Sequence, residues 1–178
     1  MIQKRTVGSA SRGLPLVVLS CVIAIPALTA GQPARGTDEQ KLESLVHEYT
    51  RYEDAGDMAS QSTLMAGDRW WHGPGGRRTD NALYMKLQER AIANAKGRYP
   101  GVTFMREVRD LRVRLLAPTV AITSFTWFAN RLIPPDLPAD KVQALGPAPL
   151  PTTVSLVWLR QGDAWKIVNS HHSPQYQR

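Results

Sequence analysis

The chain has 178 residues, a formal net charge of +7, 43% hydrophobic residues and a single cysteine. This length and composition fit one globular domain with an ordinary core and exclude a low-complexity or repeat protein. The positive charge is mild and scattered among apolar or acidic residues, which indicates a solvated face and no nucleic-acid surface. The clearest example is the alternating series Arg106, Arg109, Arg112 and Arg114.

The amino-terminal segment, residues 1–30, has the order of a secretory signal peptide. A basic start is followed by an apolar run from Leu14 to Ala30 that ends in small residues. We expect cleavage near Ala30, which gives a secreted or periplasmic protein without a stable membrane anchor. An uncleaved anchor is the alternative, but the run is short for a membrane span and contains two prolines. A lipoprotein is also disfavoured, because the chain stays apolar after Cys21.

A short linker, residues 31–37, is expected before a single domain that covers residues 38–178. Thr37 and Gln40 form the pattern of a capping box at the start of a helix. Apolar and aromatic residues then follow at helical spacing, which predicts one buried helix face. These residues are Leu42, Leu45, Val46, Tyr49 and Tyr52. Gly56 is expected to end this helix.

Two further helices are predicted, with a strand pair between them. Asp57 can cap a short helix from Met58 to about Ala66. The segment 68–79 is typical of two strands joined by a tight Pro-Gly-Gly turn. Thr79 is expected to cap a third helix with one apolar face, formed by Leu83, Leu87 and Ala91.

The second half of the sequence predicts four long strands. From Val102 the apolar period becomes two, but it changes parity near Arg109 or Asp110, which predicts a β-bulge there. The strand Val120–Asn130 is apolar at both parities, and Pro134–Pro151 is a proline-rich loop whose role stays open. The order of elements predicts an α+β domain, with three amino-terminal helices packed on one face of a curved antiparallel sheet.

The last two strands form a hairpin around Gly162-Asp163, and strand alternation divides its side chains between two faces. One face carries bulky residues and ends at His171. The other carries small or polar residues and ends at His172, which makes it the better wall for a pocket. The bulky face holds Val154, Leu156, Trp158, Trp165, Ile167, Asn169 and His171, and the other face holds Thr153, Ser155, Val157, Leu159, Lys166, Val168, Ser170 and His172.

Two stretches of the sequence resemble the nuclear transport factor 2-like superfamily, and in particular its SnoaL-like, ketosteroid-isomerase-like small proteins. They are "YEDAGDMASQSTLMAGDRWWHGPGG" at 52–76 and "VWLRQGDAWKIVNSHHS" at 157–173. The resemblance covers nearly all of the chain after residue 30. It implies a cone-shaped sheet wrapped by three helices around a pocket, assembled as a homodimer or larger homo-oligomer.

The resemblance transfers little of the isomerase chemistry. It places the oxyanion-hole tyrosine of that family at Tyr49, the general-base aspartate at Gly73 and the second oxyanion donor at Ser155. Because a glycine cannot take a proton, steroid isomerisation is not expected. Strand alternation puts Trp71 on the same face as Gly73. The expected ligand contacts are Trp71, Ser155, Ser170 and Tyr52.

Three functions remain open from the sequence. The first is an exported pocket protein that binds a small, largely apolar molecule. The second is a lyase, isomerase or cyclase in which His172 is the acid or base and Tyr49 donates to a developing oxyanion. The third is an oligomerisation module with a vestigial pocket.

No cofactor or metal is expected, because the histidines lack the spacing of a zinc site. These are His47, His72, His171 and His172. We expect assembly through the sheet, with Trp158, Trp165 and His171 near the contact.

Overall fold

The computed structural model describes residues 35–76 and 78–175. The predicted signal peptide at 1–30, its cleavage near Ala30 and the first part of the predicted linker at 31–37 lie outside the described residues. Residues 35–37 of that linker are already helical, so the first helix begins before the expected cap at Thr37. The α+β class predicted from the sequence is confirmed within the described part of the chain.

Three helices and two short strands precede four long strands, which a fourth, short helix interrupts. In chain order they are α1 (Arg35–Ala55), α2 (Met58–Thr63), β1 (Met65–His72), β2 (Arg78–Asp80), α3 (Asn81–Arg98), β3 (Thr103–Ala117), β4 (Val120–Leu132), α4 (Ala139–Ala144), β5 (Thr152–Gln161) and β6 (Ala164–Pro174). The predicted loop at Pro134–Pro151 therefore contains a helix. None of the described helices is both long enough and apolar enough to cross a membrane.

The six strands form one open, curved sheet in the order β2-β1-β6-β5-β4-β3. Four neighbouring pairs are antiparallel, as expected, but β1 and β6 run parallel. The prediction of a wholly antiparallel sheet is wrong at this pair. The reason is that almost the whole domain separates β1 from β6, so no hairpin turn fixes their relative direction.

Helix α1 packs its predicted stripe against the sheet. Leu42, Val46 and Tyr49 are fully buried and belong to the same apolar cluster as residues of β4, β5 and β6. We call the face of the sheet that meets this helix the inner face. Gly56, with a φ of 71°, follows the last residue of α1, and the Asp57 side chain accepts from the Ser60 amide as the cap of α2. The predicted end of α1 and start of α2 are confirmed, but α2 ends at Thr63 and not near Ala66, because Met65 and Ala66 already belong to β1.

Helix α3 is rotated relative to the prediction. Its cap is Asp80, whose carboxylate accepts from the backbone N–H of Leu83 at 2.8 Å, and Thr79 is instead buried in β2. The expected apolar face is partly turned to solvent, since Leu83 and Leu87 are 47% and 40% exposed. Tyr84 is buried in their place, because its ring packs between Arg69 and Trp71 on β1.

The predicted bulge in β3 is confirmed. The pairing with β4 shifts between Arg109 and Arg112, and Asp110 has a positive φ of 55°. The extra residue reverses which side chains face inwards. Arg106 therefore lies on the inner face, whereas Arg112 and Arg114 lie on the outer one, and the expectation of one solvated arginine series is wrong for Arg106.

A second bulge, in β6, was not predicted. The turn at Gly162-Asp163 pairs Trp158 with Ile167, as the sequence suggested, but Val157 then pairs with Asn169. Val168 is the extra residue. Beyond it, Ser170 and His172 share the inner face with the bulky residues of the hairpin.

Because of this bulge, two of the predictions from the sequence are wrong. Ser155 pairs directly with His171 and so lies on the outer face, away from His172. Trp158 and Trp165 are buried in the core on the inner face, so they cannot form an assembly contact beside His171. Both errors arise because one inserted residue exchanges the faces of everything that follows it in a strand.

Candidate pocket at the end of the inner face

A cavity of about 650 Å³ lies between α1, α3 and the inner face of the sheet. It is bounded by the carboxyl end of α1, the inward side of α3 and the ends of β1, β3, β4 and β6. Its wall is mostly apolar and includes Trp71, Phe104 and Trp127. The polar side chains in the wall that bear on its chemistry are Glu53, Asp54, Tyr84, Gln88, Lys96, Arg106 and His172.

The structure brings four of the six predicted site residues to this region. Trp71 and His172 line the cavity. Tyr49 and Ser170 are fully buried and contact residues of the wall or the Arg69 side chain behind it. The other two lie elsewhere: Tyr52 packs under the Arg51 guanidinium, and Ser155 is on the outer face of the sheet.

His172 is held between two tryptophans. Its ring meets Trp71 edge-on, with centroids 5.8 Å apart, and Trp127 likewise at 5.3 Å. Only 8% of the residue is exposed, and its Nε2 has no hydrogen-bond partner among the described residues. Its pKa is lowered to about 3, first by burial and then by the positive charges of Arg69 and Arg106. The imidazole is therefore neutral at neutral pH.

Arg69 is a fully buried cation directly behind the cavity wall. Its Nε and Nη2 donate to the Ser170 hydroxyl at 3.2 and 2.8 Å, and its Nη1 donates to the Asn81 side-chain oxygen at 3.0 Å. The guanidinium also lies 4.5 Å from the centroid of the Tyr84 ring. All of these partners are uncharged, and the ion pairs of the described residues do not include Arg69.

The carboxylates near the cavity are, by contrast, well supplied with donors. Glu53 accepts from the side-chain amides of Gln61 and Gln88, each at 2.6 Å, and lies 3.5 Å from Arg106 Nη2. Asp54 accepts from Arg106 Nη1 at 2.6 Å and from the Arg106 backbone amide at 2.9 Å. This network ties the end of α1 to β3 and compensates both acidic groups.

Two tyrosines stand beside this network, and only one of them lines the cavity. Burial raises the pKa of Tyr49 to about 12, and it raises the pKa of Tyr84 well above its usual value. Both phenols are protonated at neutral pH. Tyr49 stacks on Trp127 at 5.7 Å, beneath the wall, whereas Tyr84 lines the cavity and its hydroxyl accepts from Gln88 at 3.1 Å. The Tyr84 hydroxyl also interacts with the Tyr49 hydroxyl, which raises the pKa of Tyr84 further, so its proton is not free for the cavity.

Glu53, Arg69 and Arg106 were missed in the sequence, although two of them carry a recognisable signal. Glu53 continues the buried stripe of α1 beyond Val46 and Tyr49 at the same helical spacing. Arg69 and Trp71 are two residues apart on β1, so their side chains point to the same face of the sheet, and Trp71 was predicted to line the cavity. A charged residue in a buried position is the unusual case, and it indicates a partner or a function.

The mouth of the cavity is bordered by the segment that follows α4. Pro149 and Leu150 contribute to the wall there. Arg131 fixes this segment by donating to the backbone carbonyls of Leu145, Gly146 and Pro147 at 2.9, 3.1 and 2.7 Å. Within residues 35–76 and 78–175, no group of three or more His, Cys, Asp or Glu side chains is arranged to hold a metal ion.

No protein-family model and no curated protein matches this sequence. Solved structures do match, with low sequence identity. An NTF2-like protein with a cystatin-like fold from Novosphingobium aromaticivorans has 14% identity and a TM-score of 0.60, over 81% of this chain and 86% of its own. The hexachlorocyclohexane dehydrochlorinase LinA-type3 from Novosphingobium barchaimii has 11% identity and a TM-score of 0.61, over 80% and 89%.

A third match is the CamKII hub homology domain of Chlamydomonas reinhardtii, with 13% identity and a TM-score of 0.61, over 78% of this chain and 98% of its own. At such identities the likeness establishes the fold and leaves the activity open. The open curved sheet, the three helices on its inner face and these structural neighbours lead to one conclusion. The chain has the fold of the nuclear transport factor 2-like superfamily, as its sequence resemblance predicted.

Proposed function

We propose that this domain binds a small molecule with a largely apolar body in the cavity beside His172. The observation that carries the proposal is the cavity itself, whose volume of about 650 Å³ lies within the range of pockets that bind small molecules. Trp71, Phe104 and Trp127 supply apolar and aromatic surface, and Trp71 also has an indole N–H without an acceptor among the described residues. An open cavity with this wall counts against a vestigial pocket.

A lyase or isomerase is the second candidate. What favours it is a neutral imidazole in the same cavity wall as a protonated phenol, an arrangement that suits proton transfer. Two features make it second. A histidine whose pKa is about 3 is a weak base at neutral pH. Tyr49, the expected oxyanion donor, is absent from the cavity wall, so Tyr84 would have to take that role.

The cavity proposal is tested with the neutral fluorophore N-phenyl-1-naphthylamine. We expect one molecule to bind per chain, with energy transfer from the tryptophans of the wall. Ala95 lines the cavity on α3, whereas Ala93 on the same helix is exposed to solvent. Ala95→Phe should therefore weaken binding by about tenfold or more, and Ala93→Phe should change it by less than about twofold. Equal effects of the two substitutions would contradict the proposal.

Export and self-association form part of the same proposal. The basic and apolar order of residues 1–30 supports secretion with cleavage near Ala30, and mass spectrometry of the exported protein would detect an amino terminus close to that residue. An intact Met1 on soluble protein would contradict it. A homodimer or larger assembly is expected through the outer face of the sheet, and sedimentation at micromolar concentration would detect it.

A further inference from the structure

The feature that the fold leaves unexplained is the charge of Arg69. A fully buried cation is costly unless an anion is paired with it, yet the described residues give Arg69 only uncharged partners. We propose that the cavity ligand carries one negative charge on an oxygen group, and that this group binds beside His172 in the field of Arg69. This inference rests on the proposed function and names the chemical class of its ligand.

The geometry places Arg69 close to the cavity although it does not line it. Arg69 and Trp71 are two residues apart on β1, and Ser170 and His172 are two residues apart on β6. Each pair therefore points its side chains to the same face of the sheet. Trp71 pairs with Ser170 across the two strands, and Ser170 accepts two hydrogen bonds from Arg69. These four side chains form one patch of the inner face, so the guanidinium is one side-chain layer away from a ligand at His172.

The other charges near the cavity leave Arg69 uncompensated. Arg106 is already paired with Asp54 and lies 3.5 Å from Glu53. Glu53 in turn accepts from Gln61 and Gln88, on the side of the cavity formed by α1 and α3. The charged side chains that lower the pKa of His172 most are cations, Arg69 first and Arg106 second. The potential around His172 is therefore positive, which favours an anion there.

The wall offers hydrogen-bond donors for such a group. The indole N–H of Trp71, which belongs to the cavity wall, has no acceptor among the described residues. A neutral imidazole also has one N–H to donate. An apolar ring system that carries a carboxylate, or an acidic enol or phenol, matches the aromatic wall and this set of donors.

The test compares 2-naphthoate with 2-naphthamide, which share a ring system and differ by one negative charge. Binding to the full mature chain is titrated at pH 7 through tryptophan fluorescence, since Trp71 and Trp127 lie in the wall. We expect naphthoate to bind at least about tenfold more tightly than naphthamide. Arg69→Met should reduce this preference to within about twofold, chiefly by weakening the binding of naphthoate.

Two controls separate the charge of Arg69 from its structural role. Arg69→Lys keeps the charge and should keep most of the preference. Lys86→Met removes an exposed cation on α3 that is not part of the cavity wall, and it should change the preference by less than about twofold because solvent screens that charge. A folded Arg69→Met protein that still prefers naphthoate overturns the inference.

The wild-type protein alone is also decisive, so the test does not depend on the folding of Arg69→Met. If naphthamide binds as tightly as naphthoate, the anionic ligand is wrong and the proposed apolar pocket stands. If neither compound binds, the proposed function fails and the inference fails with it.

Discussion

The inner face of the sheet is filled at one end and open at the other. Towards the turn of the last hairpin, Trp158, Trp165 and Ile167 pack against Leu42 and Val46, and all five are buried within one apolar cluster. At the opposite end of the same strands the residues change character, and a cavity of about 650 Å³ remains. The same helices and strands therefore form the close-packed core at one end and the cavity at the other.

The difference between the two ends follows from side-chain size and charge. On β6, apolar Ile167 is followed on the inner face by Ser170 and His172. On α1, apolar Val46 is followed in the same stripe by Glu53. Small or charged side chains cannot fill the space that leucine and tryptophan fill, so the core stops where they begin. Substitutions at the filled end should affect stability, and those at the open end should affect binding.

The largest expected effect is at the filled end. Leu156 is fully buried on β5, and Leu156→Ala should lower the free energy of unfolding by about 3 kcal/mol, because it leaves a cavity in a close-packed core. Leu159, three residues along the same strand, faces outwards and is half-buried. Leu159→Ala should cost about 1 kcal/mol or less. Urea denaturation measures both, and equal losses would contradict the comparison.

The second test measures how the stability of the protein depends on pH through His172, at the open end of the inner face. His172 has a pKa of about 3 when folded and about 6.5 when unfolded, so the unfolded chain takes up a proton that the folded one refuses. The free energy of unfolding is therefore unaffected by this group well above pH 6.5, and it falls as the pH drops from 6.5 towards 3. Between pH 7 and pH 5 the loss is about 2 kcal/mol.

The variant His172→Gln isolates this contribution, because the other titrating groups are common to both proteins. The difference in unfolding free energy between wild type and variant should shift by about 2 kcal/mol between pH 7 and pH 5, with the wild type losing more. Urea denaturation at the two pH values measures the shift. A difference that does not change with pH would mean that His172 is not buried as a neutral group.

The third expected effect concerns affinity at the open end. His172→Ala should weaken binding of 2-naphthoate by about tenfold or more, which is about 1.4 kcal/mol. The substitution removes a polar group and also the ring that holds Trp71 and Trp127 in place. Fluorescence titration at pH 7 measures it. Unchanged affinity in a folded variant would place the ligand elsewhere.

Much of the fold was predictable because its signals are local. The end of α1 at Gly56, the cap at Asp57 and the bulge at Asp110 each follow from a few adjacent residues. The bulge at Val168 was not predictable in this way, because Ile167 and Val168 are both apolar and either can face the core. The parallel pairing of β1 and β6 was not predictable either, because no local sequence feature determines the relative direction of two distant strands.

The candidate site was predictable only where strand alternation settled it. Trp71 and His172 were assigned to the cavity, and both line it. Ser155 was assigned to the same face through an unbroken hairpin register, and the bulge invalidates that step. Arg69 and Glu53 were overlooked because charged residues are ordinarily placed at the surface, and only their tertiary contacts reveal them as buried.

The smallest expected effect comes from His171, the immediate neighbour of His172. It is exposed on the outer face, where it pairs with Ser155 and meets His72 edge-on, with ring centroids 6.5 Å apart. His171→Ala should therefore change the affinity for 2-naphthoate by less than about twofold and the unfolding free energy by about 0.5 kcal/mol or less. If the outer face mediates self-association, sedimentation of this variant is where a difference should appear. A folded His171→Ala protein that fails to bind, beside a His172→Ala protein that binds normally, would mean that the two faces of β6 are assigned the wrong way round.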